Sequence, residues 1–157
     1  MNAKQIISTL DKLKPLRQKV EDVWAECYEY SYPIRAGNIA KDGDISPDEG
    51  QDTLAKNMDS TAADALRIWA SSIVSGTTPA NSRWFSLDIF NGSDEEKKFL
   101  DKAADLIFKN IHASNFDASI FEAFIDMGCC GMFPLYVDEN KTHGGFNFQL
   151  WPVGHVN

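Results

Sequence analysis

Cysteine, basic charge and long apolar runs are all scarce in this chain of 157 residues. Its three cysteines are Cys27, Cys129 and Cys130. An odd number with two adjacent members does not make a disulfide framework. They are expected to be small buried hydrophobes in a protein made in a reducing compartment. No apolar run reaches the roughly 18 residues that a bilayer crossing requires. The opening MNAKQIISTLDKLK also lacks the apolar stretch of a signal peptide, so no membrane partner is expected. Lysine and arginine total 15 against 23 acids, a net charge of −8. That balance opposes non-specific binding to phosphate backbones, which needs clustered cations. Lys4, Lys12, Lys14, Arg17 and Lys19 do gather near the start. Asp11, Glu21, Asp22, Glu26 and Glu29 offset them, and the segment reads as a solvated helix face.

The chemical motifs of enzymes are missing too. There is no G-x-x-x-x-G-K phosphate loop and no G-x-S-x-G nucleophile elbow. His112, His143 and His155 are too far apart for a helix-borne zinc site, and Cys129-Cys130 lack the two-residue spacer of a metal or redox pair. Asp42-x-Asp44-x-Ser46-x-Asp48 resembles the start of a calcium loop. An EF-hand, however, needs Gly at its sixth position and Glu at its twelfth, where this chain has Pro47 and Thr53. Asp59, Asp64, Glu122 and Asp126 lie on expected helices, and surface ion pairing is the expected role for all four. Asp126 follows Phe124 and Ile125, and would need a partner if buried. No catalytic residue, metal ligand or cofactor is therefore expected.

What the chain does have is helical periodicity and aromatic bulk: ten Phe, four Trp and four Tyr. Ile6, Leu10 and Leu13 predict a helix from a cap at Asn2. Pro15 predicts a break near Lys14, after which Leu16, Val20, Val23, Trp24 and Cys27 resume the pattern up to Pro33. Residues 34–52 are a long polar, acidic loop. Leu54, Met58, Ala62, Leu66, Trp69 and Ile73 form one stripe, with a stop at Gly76. Trp84 to Phe90 alternate as a half-buried strand would. Ser93 and Glu96 make a capping box ahead of a helix through Phe99, Leu100, Ala103, Leu106, Ile107 and Ile111. Ser114-Asn115 break it, and a last helix through Ile120, Phe121, Phe124 and Ile125 stops near Gly128 to Gly131. Met132 to Val137 and Phe146 to Leu150 predict two strands of a hairpin. The fold class is α+β, mainly helical, with long helices and a small antiparallel sheet or hairpin in a single unit over 1–157.

Arg83-Trp84-Phe85 follow a Gly/Pro turn. Arg83 could satisfy a helix C-terminus or pair with an acid from another segment. Three segments in order carry a resemblance. One is Trp24 to Pro33 followed by Arg35. The next is Asp59 to Gly76, leading through Thr78-Pro79 to Arg83, Trp84 and Phe85. The third is Ser114, Asn115 and Phe116, then Phe121 to Gly131 and a strand. Together they resemble the podovirus-type bacteriophage head-to-tail connector, or portal, family.

The resemblance implies a structural subunit of a dodecameric ring at one capsid vertex of the virion, assembled in the host cytoplasm. Such a ring passes double-stranded DNA during packaging and ejection without reading its sequence. It also docks terminase, capsid and tail adaptor proteins. It implies no enzyme activity, and marks Arg83, Trp84, Phe85, Ser114, Asn115 and Phe116 as structural signature residues, with the binding residues left open. Portals are usually much longer, so the chain is expected to be the N-terminal portion of one. The alternative is a helical interaction or adaptor module with no DNA-conduit role.

Overall fold

The structure is a computed structural model, and it describes residues 2–35, 59–142 and 144–155. The calcium-like loop, most of the polar 34–52 segment, Leu54, Met58 and His143 lie outside the described residues.

Helix α1 (Ala3–Ser31) runs for 29 residues, or about 43 Å at 1.5 Å per residue. Gln5 caps its start by accepting the Asn2 N–H at 3.1 Å. The break expected at Pro15 is absent: the helix continues through it. Proline removes one i to i−4 hydrogen bond. At Pro15 the ring faces solvent, so it needs no room in a core, and the apolar periodicity is the same on both sides.

Helix α2 (Thr61–Thr77) starts where Asp59 Oδ1 accepts the Thr61 N–H at 3.0 Å, and runs one residue past Gly76. The strand expected over Trp84 to Phe90 does not form. Alternation makes a strand only when a neighbouring strand supplies the ladder, and here the segment runs against helices instead. Helix α3 (Asp94–His112) opens with the expected capping box. Glu96 accepts the Ser93 N–H at 2.8 Å and the Ser93 hydroxyl at 3.0 Å, while Ser93 Oγ accepts the Glu96 N–H. The Ser93 N–H, then its hydroxyl, hold the Glu96 carboxyl below its usual range.

Ala113 to Asn115 separate α3 from α4 (Phe116–Cys130). Gly131 ends α4 at φ 74°, a left-handed value that favours glycine. Strands β1 (Leu135–Glu139) and β2 (Phe146–Leu150) pair antiparallel, with Leu135 opposite Leu150 and Val137 opposite Phe148. β1 starts three residues later than expected, because Pro134 lacks the N–H that a ladder position uses. A 3-10 turn, Val153–His155, follows.

Helix α4 is the hub. It buries Phe116, Ile120, Ala123, Ile125, Asp126 and Cys129, and α1, α2, α3 and the hairpin all pack on it. One apolar cluster gathers Phe116, Ile120, Ala123 and Phe148 beneath the hairpin. Another places Tyr28 and Cys129 with Trp24, Cys27 and Leu66 where α1 and α2 meet α4. At Gly128 the approach of α2 is so close that an added Cβ would lie 2.4 Å from Leu66 Cδ1. The chain is thus mainly helical α+β. Among the described residues no helix is long and apolar enough to cross a membrane.

Candidate functional site

The two halves of the sequence signature meet at the α3–α4 junction. Trp84 stacks on Phe116 with ring centroids 6.1 Å apart, and Phe85 meets Trp84 edge-on at 4.9 Å. The Trp84 indole N–H donates to His112 Nε2 at 3.3 Å, and His112 Nδ1 lies 2.7 Å from Asp117 Oδ1. With the indole N–H directed at Nε2, the ring nitrogen turned to Asp117 is Nδ1. Phe116 is buried and also meets Phe148 edge-on at 5.0 Å. Trp84 itself stays 37% exposed, so it covers this cluster without being enclosed by it.

Arg83 binds α3. Its guanidinium donates to Asp105 Oδ1 at 3.0 Å, to Asp101 Oδ1, and to the Asp101 carbonyl at 3.1 Å. Of the two roles open to it in the sequence, the structure shows the pairing with acids from another segment. That clamp fixes where the extended segment leaves the α2 turn.

Ser114 and Asn115 make the junction rigid. Ser114 Oγ donates to the Ile111 carbonyl and accepts the Phe116 N–H. The Asn115 side chain does something less ordinary. Its Nδ2 donates to the Phe148 carbonyl at 2.6 Å, and its Oδ1 accepts the Phe148 N–H at 2.8 Å. One side-chain amide thus imitates a strand residue beside β2 and ties the hairpin to the start of α4. Ser119 adds a hydrogen bond to the same carbonyl at 3.3 Å.

A second constellation crosses the molecule at the other end of α4. Asp126, expected at the surface, is fully buried. Tyr28 donates its hydroxyl to Asp126 Oδ1 at 2.8 Å. Arg35 reaches Asp126 Oδ2 with Nη1, and Glu122 Oε2 with Nη2 at 2.6 Å. The surface reading failed because Asp126 lies on the α4 face that receives α1. The condition attached to it, that a buried Asp126 requires a partner, is met twice. The signal was the Tyr32-Pro33-Ile34-Arg35 turn, which throws a guanidinium back across the end of α1. Glu122 does pair at the surface, as do Asp64 with Arg67 and Ser60.

Burial pushes the Asp126 carboxyl above its usual range, with Arg35 and Tyr28 pulling against it. Burial also raises the Cys129 thiol to about 12 and the Cys130 thiol to about 11. Both therefore stay protonated at neutral pH, in a form that neither attacks nor binds metal. Among the described residues no group of three His, Cys, Asp or Glu is placed to hold a metal ion. A cleft of about 680 Å³ between the α3–α4 junction and the hairpin loop is lined by Asn110, Ser114, Asn115, Asn140 and Asn147 together with Phe146. These contacts interlock the helices and the hairpin. No nucleophile and base are brought together in them.

The chain was also compared with known proteins. It matches the family model described as bacteriophage head to tail connecting protein, over residues 3–157. No curated protein and no solved structure matches it.

Proposed function

The chain belongs to the bacteriophage head-to-tail connecting protein family, which places it among phage structural proteins of the virion, and from that premise we propose that it is a subunit of the portal ring. In this reading, copies of the full-length protein close into a dodecamer at one capsid vertex after assembly in the host cytoplasm. Double-stranded DNA passes through the ring in packaging and ejection, and terminase and the tail adaptor dock on it. The observation that carries the reading is the family match along the whole chain.

The surface supports it. Phe90 is 92% exposed and Phe99 70%, with Ile68, Leu106 and Trp69 also uncovered. Phe99 and Leu106, seven residues apart, share one exposed face of α3, and contiguous apolar patches mark protein–protein contacts. The net charge of −8 suits a conduit that lets phosphates slide past without gripping them. Negative-stain imaging and native mass spectrometry of the purified full-length protein test the proposal. Rings with a central hole are the expected result, and a monomer at every concentration would refute it.

A further inference from the structure

The first half of α1 is a helix with nothing of its own to lie on. From Asn2 to Pro15 every described side chain is exposed. The body takes hold of the helix further along. There Arg17 donates to the Val153 and Gly154 carbonyls at 2.8 and 3.1 Å, and Trp24 and Tyr28 join the cluster against α4. Ile6, Leu10 and Leu13 continue the same face of the helix that Trp24 and Tyr28 bury, but remain 45%, 36% and 51% exposed. An isolated helix of about 14 residues is marginal in water, so an uncovered apolar stripe of this length calls for a second surface. This stretch carries net positive charge, with Lys4, Lys12 and Lys14 against Asp11, and Lys14 lies closest to the apolar stripe.

A surface of matching character lies elsewhere on the molecule. Between the 84–92 segment and the start of α3 is a cleft of about 360 Å³ lined by Ile89, Glu95, Glu96, Phe99 and Leu100. Phe90 stands out into solvent beside it, before Asn91 turns the chain at φ 58°. The described lining contains two carboxylates and no cation, and Asp94 precedes them in the acidic first turn of α3.

We propose that the N-terminal half of α1 is an arm that seats in this cleft on a second copy of the chain, placing Ile6, Leu10 and Leu13 against Ile89, Phe90 and Phe99. The occupant follows from complementarity of both kinds: an apolar ridge on a stretch of net positive charge meets an apolar cleft at the acidic first turn of α3. The two patches differ, so the contact is heterologous, the type that propagates from copy to copy and closes into a ring when the rotation allows. The inference rests on the ring reading above and names the surfaces that build the ring.

Cysteine pairing tests it on the purified protein, with the parent chain oxidised in parallel to set the background from Cys27, Cys129 and Cys130. The Leu10→Cys and Phe90→Cys proteins, mixed and oxidised, are expected to give an intermolecular dimer that neither gives alone. The double variant is expected to give a ladder up to the ring. Imaging of the same samples separates the two ideas. Rings without cross-linking above background overturn the arm and leave the ring reading standing, whereas a lack of rings defeats both. A bond formed within one chain also overturns the arm. Lys14→Glu and Glu95→Lys, far from the buried core, provide a second arm to the test. Each is expected to raise the concentration for half-assembly by roughly 10-fold, and the pair together to restore it. Additive losses in the pair would refute the contact.

Discussion

Arg35→Ala removes the cation from a fully buried carboxylate, and its cost follows from the surroundings. Breaking a buried ion pair by deleting one partner costs about 3–5 kcal/mol, because the remaining charge stays out of water. Two features set the lower end here. The Arg35 side chain is itself 19% exposed, and Asp126 keeps the Tyr28 hydroxyl at 2.8 Å. The expected loss is about 3 kcal/mol at pH 8, or roughly 6–12 °C in Tm for a chain of this size. Burial already raises the Asp126 carboxyl, and losing Arg35 removes the strongest opposing pull while Glu122 adds a repulsion. In the variant the folded state therefore holds the Asp126 proton more tightly than the unfolded chain does. A raised carboxyl contributes stability that is complete below the unfolded value, near pH 4, and is lost as pH rises through the folded value. The deficit relative to the parent should thus shrink from pH 8 to pH 5. Adding Asp126→Asn to Arg35→Ala should recover about 1–2 kcal/mol at pH 8, since a neutral amide still accepts from Tyr28. Urea unfolding followed by tryptophan fluorescence across that pH range measures all three. A cost below about 0.5 kcal/mol at every pH, or a double variant weaker than the single, would refute the reasoning.

Asn115→Ala leaves the Phe148 N–H without its side-chain partner and its carbonyl with Ser119 alone. Phe148 is 8% exposed, so the expected cost is about 1–3 kcal/mol. Hydrogen exchange should show the Phe148 amide losing protection first, and unchanged exchange there would contradict the pairing. At Gly128 an alanine would gain about 1 kcal/mol of helix propensity. Its Cβ, however, would sit 2.4 Å from Leu66 Cδ1 and 3.1 Å from the Trp69 ring, an overpacking worth about 1–3 kcal/mol. A net fall in Tm of a few degrees is expected in calorimetry, and a rise would mean that α2 and α4 pack less closely.

Legibility followed the range of the interaction. The capping box at Ser93 and Glu96, the junction at Ser114-Asn115 and the hairpin were readable because each is encoded within a few residues. The same holds for the stop at Gly131. The segment from Trp84 to Phe90 was misread because alternation makes a strand only beside another strand, and here Arg83 and Trp84 are held by α3 and the start of α4 instead. Pro15 was misread because an interior proline costs a helix about 3 kcal/mol without necessarily ending it, and α1 continues through it. Asp126 was misread because the partners that permit its burial, Tyr28 and Arg35, lie more than ninety positions away. The signature residues were visible as residue types, but their stacking of Trp84 on Phe116 joins segments about thirty positions apart.

The Asn115 bridge bears on how copies of this chain can meet. A two-stranded hairpin has two open flanks, each a row of backbone donors and acceptors on which a stray strand could crystallise into a fibre. By occupying both backbone groups of Phe148, Asn115 plugs the β2 flank at its midpoint, with Ser119 seconding it at the carbonyl. Sheet-to-sheet polymerisation is thereby barred from that side. A protein that must stop growing at a closed circle gains from having its stickiest backbone already spoken for, so that side-chain fit decides which neighbour it accepts.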